Sequence, residues 1–183
     1  MKRLYSILIV IVALFVFAPL AVADPGTPWD KKIAGKGRFK VLSAFGGAAV
    51  LDKETGRVWE KSPGDTDGDN DVDNDDKTTW LSALIHCYTR EVGGRKGWRL
   101  PTMEELMSLV DPNNPTGDPD LPLGHPFANV QSSFYWSATT NANGSNNAWV
   151  VDFSNVGNIG TGGKDSTLVF VWCVRGGQGI DGQ

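Results

Sequence analysis

The sequence contains few of the residues that build common catalytic and metal centres. Only two of its 183 residues are cysteine and two are histidine, too few for a convincing zinc site. His86 directly precedes Cys87, and neighbouring residues on a helix point apart, so a Cys–His catalytic pair is not indicated. No Ser/His/Asp order and no paired catalytic carboxylates stand out either. We therefore expect a protein that is not an enzyme.

The chain also has little positive charge. If Lys2 and Arg3 are set aside, 15 basic residues remain against 21 acidic residues, a net charge of −6. Proteins that bind nucleic acid need clusters of Lys and Arg to neutralise phosphates. Nucleic acid is therefore not an expected partner.

The sequence has one long apolar run, and it lies at the N-terminus. Lys2 and Arg3 precede the apolar residues 7–17, and Ala21 and Ala23 form a small-x-small cleavage site. This order is typical of a signal peptide over residues 1–23. The alternative is a retained membrane anchor, but the run is short for a span of about 20 residues. We expect a secreted, periplasmic or cell-surface protein with no membrane span after cleavage.

The even cysteine count fits an exported chain. Cys87 and Cys173 are predicted to form a disulfide, which is common in oxidising compartments. Two buried thiols or a metal-binding pair are the alternatives. By closing a long loop, the bridge would stabilise the fold by roughly 4–5 kcal/mol in the chain-entropy model.

The order of predicted elements indicates an α+β fold. Residues 24–38 form a lead-in and residues 178–183 a tail. Gly56 provides the turn of a hairpin between strands at residues 49–52 and 57–60. Other strands are expected at residues 39–45, 134–138, 148–153 and 167–175.

Two helices are predicted between the strands. The first buries an apolar face and ends at Gly93; its apolar positions are Trp80, Leu81, Leu84, Ile85, Tyr88 and Val92. The second starts at the N-cap Thr102, with Glu105 as its capping-box partner. Its predicted buried stripe is Met103, Leu106, Met107 and Val110.

Residues 65–76 carry the sharpest motif, because seven of these twelve residues are aspartate. An EF-hand loop supplies calcium ligands at positions 1, 3, 5, 7, 9 and 12, the seventh through its backbone carbonyl. The residues at those positions are Asp65, Asp67, Asp69, Asp71, Asp73 and Asp76. The glycine at position 4, Gly68, is a feature that this loop shares with dockerin loops. Val72 occupies position 8, which is usually apolar.

The motif departs from EF-hands at two positions. Asn70 replaces the glycine at position 6, and Asp76 replaces the longer glutamate at position 12. No helix is evident before Asp65, so the motif would be an EF-hand loop with only the helix that follows it. We predict one structural Ca²⁺ ion; the alternative is an acidic linker solvated by water.

Several segments together resemble one family. They are residues 52–59, Cys87, residues 97–102, residues 105–106, residues 134–137, residues 148–149 and residues 171–177. The ordered set is similar to the Lcl C-terminal domain family, over about residues 39–177. The resemblance implies a C-type-lectin-like fold, with two helices packed on a small mixed or antiparallel sheet and long loops. It also implies that adjacent strands bring the chain ends together.

The resemblance further implies a non-catalytic adhesion or binding module for an extracellular glycan or protein. Trp136 and Trp149 are the candidate ligand face. One alternative is a structural surface protein with no small ligand. Another is an oxidase resembling formylglycine-generating enzymes, which would need a reactive pair of thiols at Cys87 and Cys173.

Overall fold

The computed structural model describes residues 35–69, 71–114 and 119–176. The described residues belong to one compact unit. The predicted signal peptide, most of the lead-in and the C-terminal tail lie outside the described residues. Within the described part, no helix has both the length and the hydropathy that crossing a membrane requires.

The first sheet has four antiparallel strands. A short helix, α1 (Gly35–Arg38), leads into β1 (Phe39–Val41), and β2 (Ala49–Asp52) and β3 (Arg57–Glu60) follow. The last strand, β7 (Val174–Arg175), pairs with β3, which gives the order β1-β2-β3-β7. β1 and β7 therefore share a sheet but lie at its opposite edges. The prediction that adjacent strands join the chain ends is wrong, because the β2–β3 hairpin lies between them.

The hairpin itself is confirmed. Asp52 pairs with Arg57, and Gly56 in the turn has a φ of +70°, which glycine adopts without steric cost. The Asp52 carboxylate accepts the Glu54 N–H at 3.0 Å and the Thr55 hydroxyl at 2.8 Å. A bidentate bond from the buried Arg38 holds the same carboxylate. The turn is thus fixed by the residue that begins it.

The first main helix, α2 (Trp80–Thr89), buries a different face from the predicted one. Ala83 and Cys87 are its buried residues, with Trp80 and Leu84 partly buried beside them. The other apolar positions face outward: Leu81, Ile85 and Tyr88 are 57%, 55% and 81% exposed. The helix also ends before Val92, which is buried in the following turn.

The second main helix, α3 (Met103–Leu109), confirms the capping box at Thr102. The Thr102 hydroxyl accepts the Glu105 N–H at 3.2 Å, and the Glu105 carboxylate accepts the Thr102 N–H at 2.9 Å. Leu106 and Leu109 are fully buried. The predicted stripe is confirmed at Leu106, while its other three members are partly buried and pack around the same core.

The second sheet is antiparallel and contains a strand that the sequence did not predict. Its order is β4 (Phe134–Thr140), β5 (Asn147–Asp152) and β6 (Ile159–Gly163). β6 is rich in glycine, which strands usually avoid. A Cβ on Gly162 would stand 2.6 Å from the Trp136 ring, so the strand can cover that ring only with glycine.

The predicted strand at residues 167–175 is regular only in β7. Before β7, Val169 bridges to Thr78 and Phe170 bridges to Tyr135 in β4. The segment then passes to the first sheet, where Val174 pairs with Trp59. It therefore connects the two sheets. The predicted strand at residues 39–45 is similarly shortened, because a 3₁₀ turn (Ser43–Phe45) follows β1.

The disulfide between Cys87 and Cys173 is confirmed, and both residues are fully buried. It joins α2 to the residue before β7. The fold is α+β, with two main helices and two small antiparallel sheets.

Candidate metal site in the acidic loop

Aspartate side chains fold residues 65–76 by accepting backbone N–H groups a few residues ahead. Asp65 accepts the N–H of Gly68 at 2.6 Å, and Asp69 accepts that of Asp71 at 3.0 Å. Asp73 accepts the N–H of Asp75 at 2.8 Å and starts a 3₁₀ turn (Asn74–Asp76). Such bonds are the reason that aspartate is common in turns. Asn70, at position 6, lies outside the described residues.

Asp76 connects the two ends of the loop. One of its carboxylate oxygens accepts the N–H of Thr66, and the other accepts the N–H of Asp73 at 2.9 Å. The Thr66 hydroxyl donates to the Asp76 carbonyl at 2.9 Å. Asp76 is 1% exposed. The motif did not indicate Thr66, because EF-hand spacing assigns no ligand to position 2.

The carboxylates converge as two groups that share Asp76. Asp65, Asp67 and Asp76 form one group, and Asp71, Asp73 and Asp76 form the other. Within each group the nearest carboxylate oxygens all lie within 4.8 Å of one another, a spacing that could hold a metal ion. Asp69 belongs to neither group. Asp71 was predicted to contribute its carbonyl, but the structure brings in its carboxylate.

Electrostatic repulsion acts within the loop. The negative charge of Asp69, followed by slight desolvation and the charge of Asp73, raises the pKa of Asp71. Asp71 is exposed. A divalent cation would relieve this repulsion, and the carboxylate oxygens present are the ligand type that hard cations such as Ca²⁺ take.

The loop is anchored to the folded domain. Val72, at the apolar position 8, packs against the core, and its carbonyl accepts a 2.8 Å bond from the Gln131 side chain. Gly64, before the loop, lies against His86 of α2, so closely that a Cβ there would be 2.4 Å from the imidazole Nε2. The loop conformation is thus coupled to α2 and to the core.

A model of the Lcl C-terminal domain matches residues 48–175. The chain belongs to the Lcl C-terminal domain family. Comparisons with curated proteins and with solved structures find no match. The arrangement of two main helices and two small antiparallel sheets is consistent with a C-type-lectin-like Lcl C-terminal domain. The acidic loop lies inside the matched range.

The candidate ligand face of this Lcl C-terminal domain needs correction. Trp136 is fully buried, and its indole N–H donates to the Thr78 carbonyl at 2.8 Å. Trp136 therefore cannot stack on a ligand, because its ring is a core element between β4 and the segment after the acidic loop. Trp149, on β5, is partly exposed, and its role in binding stays a prediction.

Proposed function

We propose that this Lcl C-terminal domain is a calcium-stabilised, non-catalytic binding module that works outside the cytoplasm. The observation that carries the proposal is that two groups of three aspartates converge and share the buried Asp76. Calcium takes six to eight oxygen ligands in flexible geometry, which suits a loop with this many carboxylates. Asp65, Asp67, Asp71, Asp73 and Asp76 are the proposed ligands, whereas Asp69 belongs to neither group.

The calcium ion would stabilise the fold through the residues that follow Asp76. Thr78 exchanges two backbone hydrogen bonds with Val169, at 3.0 and 3.1 Å, and receives the Trp136 indole N–H. The helix α2 begins two residues later. An ion that fixes Asp76 therefore fixes the entry to α2 and the core around Trp136.

The surface beside the loop supports a binding role. Lys77, directly after Asp76, lines a cleft of about 270 Å³ together with Phe134 and Leu168. Phe134 and Leu168 are 38% and 59% exposed, so apolar side chains are available to a ligand. Partly exposed apolar side chains beside the positive charge of Lys77 suit an extracellular glycan or protein. Calcium bound at Asp76 would hold the neighbouring Lys77 in place.

The buried disulfide supports both the location and the absence of catalysis. A disulfide is typical of secreted, periplasmic or cell-surface proteins. A formylglycine-generating type of oxidase would need two reactive thiols, whereas Cys87 and Cys173 are bonded to each other and buried. The structural surface protein remains the alternative that the ligand experiment must separate.

The proposal is tested by thermal melting of chelator-treated protein, followed by a glycan and protein array with and without calcium. Calcium at 100 times its Kd should stabilise the fold by about 2.7 kcal/mol. For a domain of this size, each kcal/mol of stabilisation raises the Tm by about 2–4 °C. Magnesium should stabilise it less, because it prefers a small octahedral shell that keeps waters.

A matched pair of variants then tests the cleft. Leu168→Ser should remove array binding, whereas Leu81→Ser, at a similarly exposed residue on α2, should leave it unchanged. A Tm that does not respond to calcium would contradict the metal site. An array with no ligand would favour the structural surface protein.

A further inference from the structure

A second cavity opens on the side of the first sheet. It has a volume of about 290 Å³, and its apolar wall is formed by Ala48, Val92 and Ala128. Its polar lining is formed by Glu60, Lys61, Ser62 and Arg90. Small-molecule sites commonly combine an apolar wall with a few placed polar groups in this way.

Glu60 is buried at this cavity, and both of its carboxylate oxygens are engaged. One accepts the Arg90 Nε–H at 2.6 Å, and the other accepts the Cys173 backbone N–H at 3.0 Å. Burial raises the pKa of Glu60, and the charge and hydrogen bond of Arg90 oppose that effect. Glu60 is therefore not available to a ligand, but it fixes the orientation of the Arg90 guanidinium.

Arg90 uses only part of its hydrogen-bonding capacity. Within residues 35–69, 71–114 and 119–176, its side-chain hydrogen bond goes through Nε to Glu60, and neither Nη group has a hydrogen-bond partner. The side chain is 32% exposed. Guanidinium groups bind carboxylates through two parallel N–H bonds, and an already oriented group loses less entropy on binding.

The other polar groups of the cavity are also donors. Lys61 forms no ion pair with any residue in the described ranges. The Ser62 hydroxyl accepts a bond from Asn129 at 3.3 Å, so its own hydrogen remains available. Two cations and one engaged carboxylate leave this cavity net positive in an acidic protein.

We propose that this cavity binds an organic carboxylate with a short aliphatic body. The carboxylate would accept hydrogen bonds from the Nη groups of Arg90, with Lys61 and Ser62 beside it, and the aliphatic part would lie on Ala48, Val92 and Ala128. Such a group occurs in free aliphatic acids and at the C-terminus of a peptide. The inference adds a second binding site to the proposed function, because it uses no residue of the acidic loop and none of the cleft lined by Phe134 and Leu168.

The test is an NMR titration of the purified chain with hexanoate, with hexan-1-ol and hexylamine as controls of the same length. Hexanoate should give saturable shifts of the Ala48, Val92 and Ala128 methyl signals, and the two controls should not. N-acetyl-leucine and its amide form a second pair, in which only the free acid should bind. Tighter binding of the peptide-like acid would indicate a peptide C-terminus, and tighter binding of hexanoate a free acid.

Variants separate a binding site from a purely structural ion pair. Arg90→Lys keeps the charge beside Glu60 but lacks the second edge of the fork, so the hexanoate affinity should fall about tenfold. Lys61→Gln leaves the Glu60–Arg90 pair intact and should weaken binding by a smaller factor, and it keeps the test usable if Arg90→Lys fails to fold. Lys40→Gln, an exposed residue outside the cavity, is the control for the same charge change.

Equal shifts with hexanoate and hexan-1-ol would overturn the inference, as would Lys61→Gln binding as tightly as Lys40→Gln. The calcium titration reports only on the acidic loop. A negative result here therefore leaves the calcium proposal untouched, and the reverse also holds.

Discussion

Cys87 and Cys173 form a buried disulfide that joins the helix α2 to the residue before the last strand, across a sequence separation of 86 residues. The backbone N–H of Cys173 also donates to Glu60 at the end of β3. The backbone N–H of Glu60 donates in turn to the Cys173 carbonyl at 3.2 Å, so one covalent bond and two hydrogen bonds connect α2 and the hairpin to Cys173.

Loss of this disulfide should strongly destabilise the domain. The chain-entropy model gives about 4–5 kcal/mol for a loop of this length, so Cys87→Ala with Cys173→Ala should lower the urea midpoint accordingly. Titration of the unfolded, unreduced protein should find no free thiol. Two reactive thiols, or the same urea midpoint with and without reductant, would show that the bridge is not formed in the protein.

The Glu105 network should make stability depend on pH below about 4.5. Burial alone would raise the pKa of Glu105, but hydrogen bonds from Arg99, Thr102 and Arg57 lower it to about 2. A folded pKa below the ordinary 4.5 means that the stabilisation is complete above about pH 4.5 and is lost as the pH falls towards 2.

The measurement is the unfolding free energy of wild type and Glu105→Gln between pH 2 and 7. At pH 7 the variant should be less stable by about 1–3 kcal/mol, the usual cost of a lost hydrogen bond to a charged group. The difference should shrink as the pH approaches 2. A difference that stays constant with pH would mean that the Glu105 charge does not stabilise the fold.

The exposed face of α2 should tolerate polar residues. Leu81→Gln and Ile85→Gln remove no core contact, so each should change stability by less than about 0.5 kcal/mol. Leu106→Ala, at a fully buried position of α3, should cost about 2–5 kcal/mol. Chemical denaturation of the three variants tests this contrast. A large loss from Leu81→Gln would mean that this face is covered in the protein.

Local signals predicted the parts of the fold that depend on neighbouring residues. The hairpin turn at Gly56 and the capping box of Thr102 and Glu105 need only a few residues of sequence. The buried face of α2 could not be predicted in the same way, because Leu81 and Leu84 are equally apolar and only the packed neighbours decide between them.

Other features depend on contacts between distant segments. The strand β6 has a sequence that disfavours strands, and it exists because β5 pairs with it and Gly162 fits under Trp136. In the acidic loop the spacing predicted that carboxylates converge. It could not predict that Asp71 joins through its side chain or that Asp69 belongs to neither group, since both depend on the local path of the chain.

The calcium site is tested most directly by calorimetric titration of Ca²⁺ into chelator-treated protein. Asp65→Asn with Asp73→Asn removes one charge from each of the two groups of aspartates. The side-chain oxygens that remain can still accept the N–H groups of Gly68 and Asp75. The matched control is Asp75→Asn with Asp165→Asn, which removes two exposed aspartates that belong to neither group.

We predict saturable binding of one Ca²⁺ by the wild type and by the control, at a Kd of about 10⁻⁴–10⁻³ M, a range typical of extracellular modules. The Asp65→Asn, Asp73→Asn variant should bind at least about tenfold more weakly, because each removed charge takes away a ligand that Ca²⁺ prefers. No heat from the wild type at millimolar calcium, or equal heats from all three proteins, would contradict the calcium site and show that residues 65–76 are an acidic loop solvated by water.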